Sequence, residues 1–145
     1  MSDVLTLSQV KVPGTARSKD AAIREAGDIL VNAGAVTKEY IDAMFEREKS
    51  VSTYMGNYLA IPHGTNESKE TIKRSALSVV RYDPPIDWDG NEVRFAIGIA
   101  GYEGGHMDIL SKVAIVFSDM DEVDKLIAAK SAEEMFELLN AVNED

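Results

Sequence analysis

The chain has no cysteine, which excludes disulfides, thiolate metal sites and cysteine nucleophiles. Histidine is nearly as scarce, with two residues, His63 and His106. No apolar run approaches the roughly 20 residues that a membrane helix requires, so direct membrane insertion is not expected. The amino terminus, MSDVLTLSQVKVPG, lacks the basic region and apolar stretch of a secretory signal, and a cytoplasmic location is expected. Cationic residues are outnumbered, 15 Lys and Arg against 25 Asp and Glu, for a net charge of −10. Apart from the cluster from Lys69 to Arg74, the basic residues are scattered. A chain of this charge repels phosphate backbones, so no nucleic-acid partner is expected. The plain reading of the acidity is solubility; the sharper one is steering towards a basic protein surface.

Familiar chemical motifs are missing as well. There is no phosphate-binding GxxxxGK[ST], no dinucleotide GxGxxG and no GxSxG nucleophile elbow. Asp119 to Asp124 is acidic but lacks the glycine and closing glutamate of a calcium loop, so it reads as a solvated helix start. Tyr102 to Gly105 is glycine-rich and reads as a strand-to-helix connection. The six methionines are dispersed at helical positions and read as core. Neither a metal nor a cofactor is expected.

What remains is an ordinary globular composition, 45% hydrophobic and 28% charged over 145 residues. It is long enough for one well-buried core, and residues 1–145 read as a single domain. Helical spacing of Ala22, Ile23, Ala26, Ile29, Leu30 and Ala33 predicts a helix over 20–33, with Ser18 as N-cap and Gly34 as stop. Thr37 caps a second predicted helix with Tyr40, Ile41, Met44 and Phe45 inside, ending near Arg47-Glu48-Lys49. Ser50 to Gly56 reads as a polar stretch. Leu59 to Ile61 is a short buried strand stopping at Pro62, and 66–73 reads as a short polar helix. The valine-rich run 76–82 is a strand broken by Pro84-Pro85. Asp89-Gly90 is a hairpin turn into a central strand, 93–100, that is apolar on both faces. A stripe from Ile109 to Phe117 predicts a helix just after His106, and 121–130 a shorter one. Ser131 to Glu134 is a capping box opening a last helix with Met135, Phe136, Leu138, Leu139 and Val142 inside. The predicted class is α/β, a mixed sheet of about five strands flanked by helices on both faces.

His63 lies between Pro62 and Gly64 at the end of a predicted strand. One reading is a turn residue bonding its ring to nearby backbone. The other is a nucleophile, because neutral imidazole titrates near physiological pH. Its placement favours chemistry. Pro62 fixes the backbone, Gly64 permits close approach, Thr65 and Asn66 offer hydrogen bonds, and strand ends in α/β sheets are where ligands tend to bind. His106 opens a helix, where free N–H groups suit an anion. The two imidazoles can meet a phosphate-sized group if the fold brings their loops together.

The stretch from Arg47 through Ser52-Thr53-Tyr54-Met55-Gly56 to Ala60-Ile61-Pro62-His63-Gly64-Thr65 resembles the enzyme IIA domain of the bacterial sugar phosphotransferase system. The likeness is nearest to its mannitol type, within the mannitol/fructose group, and runs along essentially the whole chain. The Ile61-to-Gly64 element alone is shared more widely, with fructose-type and nitrogen-regulatory relatives. The resemblance implies a phosphoryl relay. The phosphocarrier HPr donates to Nε2 of His63, and His63 passes the group to the enzyme IIB cysteine of a mannitol permease (enzyme IIB/IIC), acting in trans. It also implies that His106 bonds the phosphoryl oxygens and that Arg47 neutralises charge. Asn57 and Thr65 are further candidate binding residues. Asn57 stands where some mannitol-type members carry glutamate, and an amide cannot do an acid–base duty there. The alternative is a fructose-type or nitrogen-regulatory module that uses phosphorylation only as a signal. A site built from the two histidines and a metal is disfavoured, because no convergent carboxylate accompanies them.

Overall fold

The computed structural model describes residues 4–65, 70–102 and 105–143, without the side chains of His106 and Ala141. Five strands form one mixed sheet in the order β1-β4-β5-β3-β2. These are β1 (Val10–Lys11), β2 (Tyr54–Gly56), β3 (Leu59–Ala60), β4 (Ala76–Trp88) and β5 (Asn91–Ala100). β1 runs parallel to β4 and β3 parallel to β5, while β4–β5 and β2–β3 are antiparallel. The helices are α1 (Lys19–Asn32), α2 (Glu39–Ser50), α3 (His106–Phe117), α4 (Met120–Ala128) and α5 (Ala132–Leu139). Among the described residues, no helix is long and apolar enough to cross a membrane.

Side-chain alternation along β4 and β5 creates two cores. Leu77, Val79, Phe95, Ile97 and Ile99 meet Ile109, Val113, Phe117, Leu126 and Met135 from α3, α4 and α5. Val80, Tyr82, Ala96 and Ala100 face the opposite way, against Ile23, Ala26 and Leu30 of α1 and Tyr40 and Met44 of α2. β5 is thus buried on both faces, as its apolar run predicts. The small side of β5 lets the helices come close. A Cβ added at Gly98 would sit 2.4 Å from Ser78 Oγ and 3.3 Å from Ala26 Cβ.

The helix ends follow local chemistry. Ser18 Oγ accepts from Ala21 N, and Ser131 Oγ accepts from Glu134 N, each satisfying a first-turn N–H. Gly34 follows α1 at φ 75°, a conformation that glycine adopts without steric penalty. Thr37 contributes its carbonyl to Tyr40 N–H rather than a side-chain cap, and Lys38 is the N-cap.

Four expectations need correcting. The methionines are not all helical core residues: Met55 lies in β2 and, like Met107 and Met120, is exposed. Pro84 and Pro85 do not end the strand; β4 runs on to Trp88, and its pairing with β5 shifts register between Arg81 and Ile86. Prolines, lacking N–H, are tolerated where the ladder is already interrupted. The expected helix over 66–73 is not formed beyond Glu70: Glu70 and Thr71 lie in a short 3₁₀ turn, and Ile72 bridges Val36. Residues 66–69 lie outside the described residues. The polar stretch 50–56 contains β2, and Val10–Lys11 adds the edge strand β1. Both are too short for periodicity to register. The turn at Asp89-Gly90 has both φ values positive, 56° and 93°, as a two-residue hairpin requires.

Candidate functional site

β3 and β5 run parallel, so their carboxyl ends open on the same edge of the sheet. Beyond β3, Ile99 N–H donates to Pro62 O at 3.1 Å, and His63 forms a parallel bridge with Ile99. The Pro62-His63-Gly64 turn is therefore a last rung of the sheet. His63 is only 9% exposed. Its Nδ1 lies 2.7 Å from Ile61 O. A carbonyl oxygen only accepts, so this contact assigns the proton to Nδ1 and the lone pair to Nε2.

A second contact secures the far side of the turn. Tyr40, in the first turn of α2, accepts from Gly64 N at 2.8 Å and donates to Ile99 O at 2.6 Å. Tyr40 is 2% exposed, and burial pushes its phenol up to about 12, with the Gly64 N–H working weakly against that shift. It stays neutral and able to donate throughout the physiological range.

β5 leads directly into α3. Tyr102 N donates to Ser75 Oγ at 2.8 Å, and Gly105 N donates to Tyr102 O at 3.0 Å, so this exit is tied back to the entry of β4. Gly105 sits in a close approach, where an added Cβ would meet Ser75 Oγ and Tyr102 O, each at 3.2 Å. Glu103 and Gly104 lie outside the described residues. The backbone of His106 opens α3 on the same edge of the sheet as His63; its side chain lies outside the described residues. The first-turn N–H groups of α3 suit an anion at that end.

The other candidates are placed differently. Arg47, in the last turn of α2, donates from Nη1 to Val51 O at 2.8 Å. Val51 leads into Thr53, whose carbonyl accepts from Ile61 N at 3.0 Å, so Arg47 is anchored to the segment beside the His63 strand. Thr65 is half-buried just after the turn, and Asn66 is outside the described residues. Asn57 belongs elsewhere. It forms the β2–β3 turn at φ 50°, and its Nδ2 donates to Phe117 O at 2.8 Å, at the end of α3 opposite His106. Twelve residues at ~1.5 Å each separate those ends by roughly 16 Å. A phosphoryl group cannot touch both, and Asn57 is a turn residue that tethers α3.

Two residues near this region carry no functional expectation from sequence. Tyr40 reads as an apolar face residue, although a buried phenol generally needs a partner for its hydroxyl. Glu48 hides between two basic residues yet is 6% exposed, on the same helix face as Ile41 and Met44. Its carboxylate accepts from Thr53 N at 3.0 Å, Thr53 Oγ1 at 2.6 Å and Trp88 Nε1 at 3.1 Å, with Lys19 Nζ at 3.5 Å. A carboxylate at a buried helical position is itself a signal, because such groups are buried only when paired. Among the described residues, no three His, Asp or Glu side chains gather as a metal site.

This geometry agrees with the similarities that the chain shows. Residues 3–142 match the family model described as phosphoenolpyruvate-dependent sugar phosphotransferase system, EIIA 2. A Halalkalibacterium halodurans protein named mannitol-specific phosphotransferase enzyme IIA component is 52% identical over 141 residues, covering 97% of each chain. A Staphylococcus aureus protein of the same name is 47% identical over 135 residues, covering 93% of this chain and 94% of that one. A chain in the solved Escherichia coli complex of enzyme IIAMTL and phosphorylated enzyme IIBMTL superposes with a TM-score of 0.88. It is 30% identical, with coverage of 94% of this chain and 97% of that one. With the family match spanning nearly its full length, the chain belongs to the type 2 enzyme IIA family of the phosphoenolpyruvate-dependent sugar phosphotransferase system, a family of phosphotransferases.

Proposed function

We propose that this protein is a mannitol-specific enzyme IIA, which carries a phosphoryl group on His63 between HPr and the enzyme IIB of a mannitol permease. In the first step Nε2 attacks the phosphorus of phosphorylated HPr; the Nε2–P bond forms as the bond from phosphorus to its donor breaks. In the second step the enzyme IIB thiolate attacks, an S–P bond forms, the Nε2–P bond breaks, and the imidazole returns to its neutral form. Such transfers need in-line positioning and charge stabilisation more than covalent help. The contact of Nδ1 with Ile61 O at 2.7 Å carries the reading. It presents Nε2 as the nucleophile, and it stabilises the positive ring that phosphorylation at Nε2 creates. The first-turn N–H groups of α3, His106 and Arg47 are the groups proposed to face the phosphoryl oxygens. The site requires no metal and no cofactor for this chemistry.

The surroundings suit a protein partner. Val51, Tyr102 and Met107 are exposed apolar residues, 65%, 45% and 66% accessible, on the three segments that flank the turn and the start of α3. Exposed apolar side chains around a recessed reactive group favour docking. The net charge of −10 favours fast encounter with a basic surface.

Incubation with enzyme I, HPr and phosphoenolpyruvate should give an acid-labile, base-stable phosphohistidine that His63→Ala abolishes. Equal labelling of that variant refutes the assignment. Labelled protein should then restore mannitol phosphorylation on permease membranes. A label that never leaves for enzyme IIB favours the regulatory alternative.

A further inference from the structure

We infer that Tyr40 is a positioning residue for phosphoryl transfer, whose hydroxyl clamps the peptide after His63 to the end of β5 and so holds the imidazole in its reactive tautomer and orientation. The inference rests on His63 being the phosphoryl carrier. The ring is gripped from one side by Ile61 O on Nδ1. That contact persists only while the turn keeps its course, because the accepting carbonyl and the ring belong to residues two apart on the same strand. Pro62 cannot donate to a ladder. Among the described residues, the turn is also tied to β5 by the Ile99 N–H bond to Pro62 O and by the two bonds of Tyr40. Tyr40 both receives the Gly64 N–H and reaches Ile99 O, so one hydroxyl closes the gap between the turn and the strand beside it. Its ring is anchored in the α1–α2 face of the core, which makes the clamp rigid.

Rigidity matters here because an in-line transfer tolerates little error in the nucleophile. A displacement of about 1 Å at a reacting group can slow a reaction about a hundredfold. Without the phenol oxygen, Gly64 N–H and Ile99 O lose the hydroxyl that links them, and the turn gains freedom to swing. The imidazole then samples the other tautomer, with the proton on Nε2, which blocks attack.

Tyr40→Phe removes the oxygen and keeps the ring, and Tyr82→Phe is the control. Tyr82 is equally buried in the same core, and its hydroxyl donates to Glu25 Oε1 at 2.7 Å, away from the turn. Nitrogen-15 NMR of the unphosphorylated proteins reads the His63 tautomer without any phosphoryl donor. The Nδ1–H form should dominate in the wild type and in Tyr82→Phe, and give way to a mixture in Tyr40→Phe. Transfer from phosphorylated HPr should fall about tenfold or more in kcat for Tyr40→Phe, with KM for HPr unchanged. Gly64 amide exchange in the wild type adds a measurement that needs no variant: the amide should be protected. An unchanged tautomer together with kcat within twofold of wild type overturns the inference. So does an equal loss of kcat in Tyr82→Phe, or an unprotected Gly64 amide. A wild type that accepts no phosphoryl group refutes the relay itself and leaves the tautomer and exchange data to decide the clamp.

Discussion

Glu48 offers the sharpest test of how the scaffold beneath His63 is held. Its carboxylate receives three donors, Thr53 N, Thr53 Oγ1 and Trp88 Nε1, in a setting 6% exposed. Glu48→Leu removes every acceptor. The Thr53 hydroxyl can turn elsewhere, but Thr53 N–H and Trp88 Nε1–H are left buried and unpaired. Each orphaned donor is worth about 1–3 kcal/mol, and the added apolar burial offsets part of the loss, so the net cost is about 3 kcal/mol. Glu48→Gln is different. An amide oxygen at the Oε2 position still accepts from Thr53 N and Trp88 Nε1, and the amide nitrogen can donate to the Thr53 hydroxyl. Only the charge assistance and the approach of Lys19 at 3.5 Å are lost, about 1 kcal/mol. With an unfolding entropy of about 2.1 cal/mol/K per residue over 145 residues, the two variants should lose about 10 °C and 3 °C in Tm respectively. Calorimetry at fixed pH measures both. Because Thr53 O holds Ile61 N, Glu48→Leu should also slow phosphoryl transfer at temperatures where it remains folded. A leucine variant within 1 kcal/mol of wild type refutes the reasoning. So does a glutamine variant as damaged as the leucine one.

Two further outcomes follow from buried groups away from the turn. Burial pushes the Glu25 carboxyl up, but bonds from Lys11, Thr15 N–H, the Tyr82 hydroxyl and the Thr15 hydroxyl overcome it and bring it down from 4.5 to about 2. A lowered native value gives stability that is complete above about pH 4.5 and is lost as pH falls through about 2. Allowing for screening at Lys11, which is 43% exposed, this amounts to about 2 kcal/mol. Urea titrations between pH 6 and pH 2.5 should show that loss in wild type and a flatter profile in Glu25→Gln. Ser78 Oγ is the buried side-chain polar atom without a hydrogen-bond partner among the described residues. Ser78→Ala should therefore be neutral or stabilising by up to about 1 kcal/mol in the same titration, and a loss of that size would show that the hydroxyl has a partner.

Long, strongly periodic segments were the part of this fold that could be read without coordinates. α1, α3 and α5 announce themselves through apolar spacing, and β5 through a nearly continuous apolar run after the Asp89-Gly90 turn signal. What periodicity misses is short or conditional on tertiary context. β1 and β2 have two and three residues, too few to display alternation. The hairpin at Asn57-Tyr58 puts tyrosine at φ 68°, which no turn preference suggests. That conformation is held by Arg94 N and Phe95 N, which both donate to Tyr58 O, and by the Arg94 guanidinium 5.5 Å from the ring centroid. Such bonds reach across the sheet and leave no trace in local sequence. The site divides the same way. The position of His63 at the end of a strand is legible because Pro62 and Gly64 frame it. The contacts of Tyr40 are not, because its hydroxyl meets backbone 24 and 59 residues away.

The same division explains how a carrier can serve two transfers. A relay group must take up and release its phosphoryl group with comparable ease. Contacts that stabilise the phosphorylated state alone speed the first step and slow the second. Tyr40 and Ile99 grip the main chain of the turn and not the transferred group, so under the proposed relay their contribution reduces reorganisation in both directions. Ile61 O is the contact that responds to charge, strengthening its hydrogen bond when the ring becomes cationic. In the proposed relay Nδ1 keeps its proton before and after each step, so neither transfer requires a proton to arrive at or leave the ring. An imidazole held at Nδ1 can thus accept phosphorus from one protein and yield it to another without a general acid or base of its own.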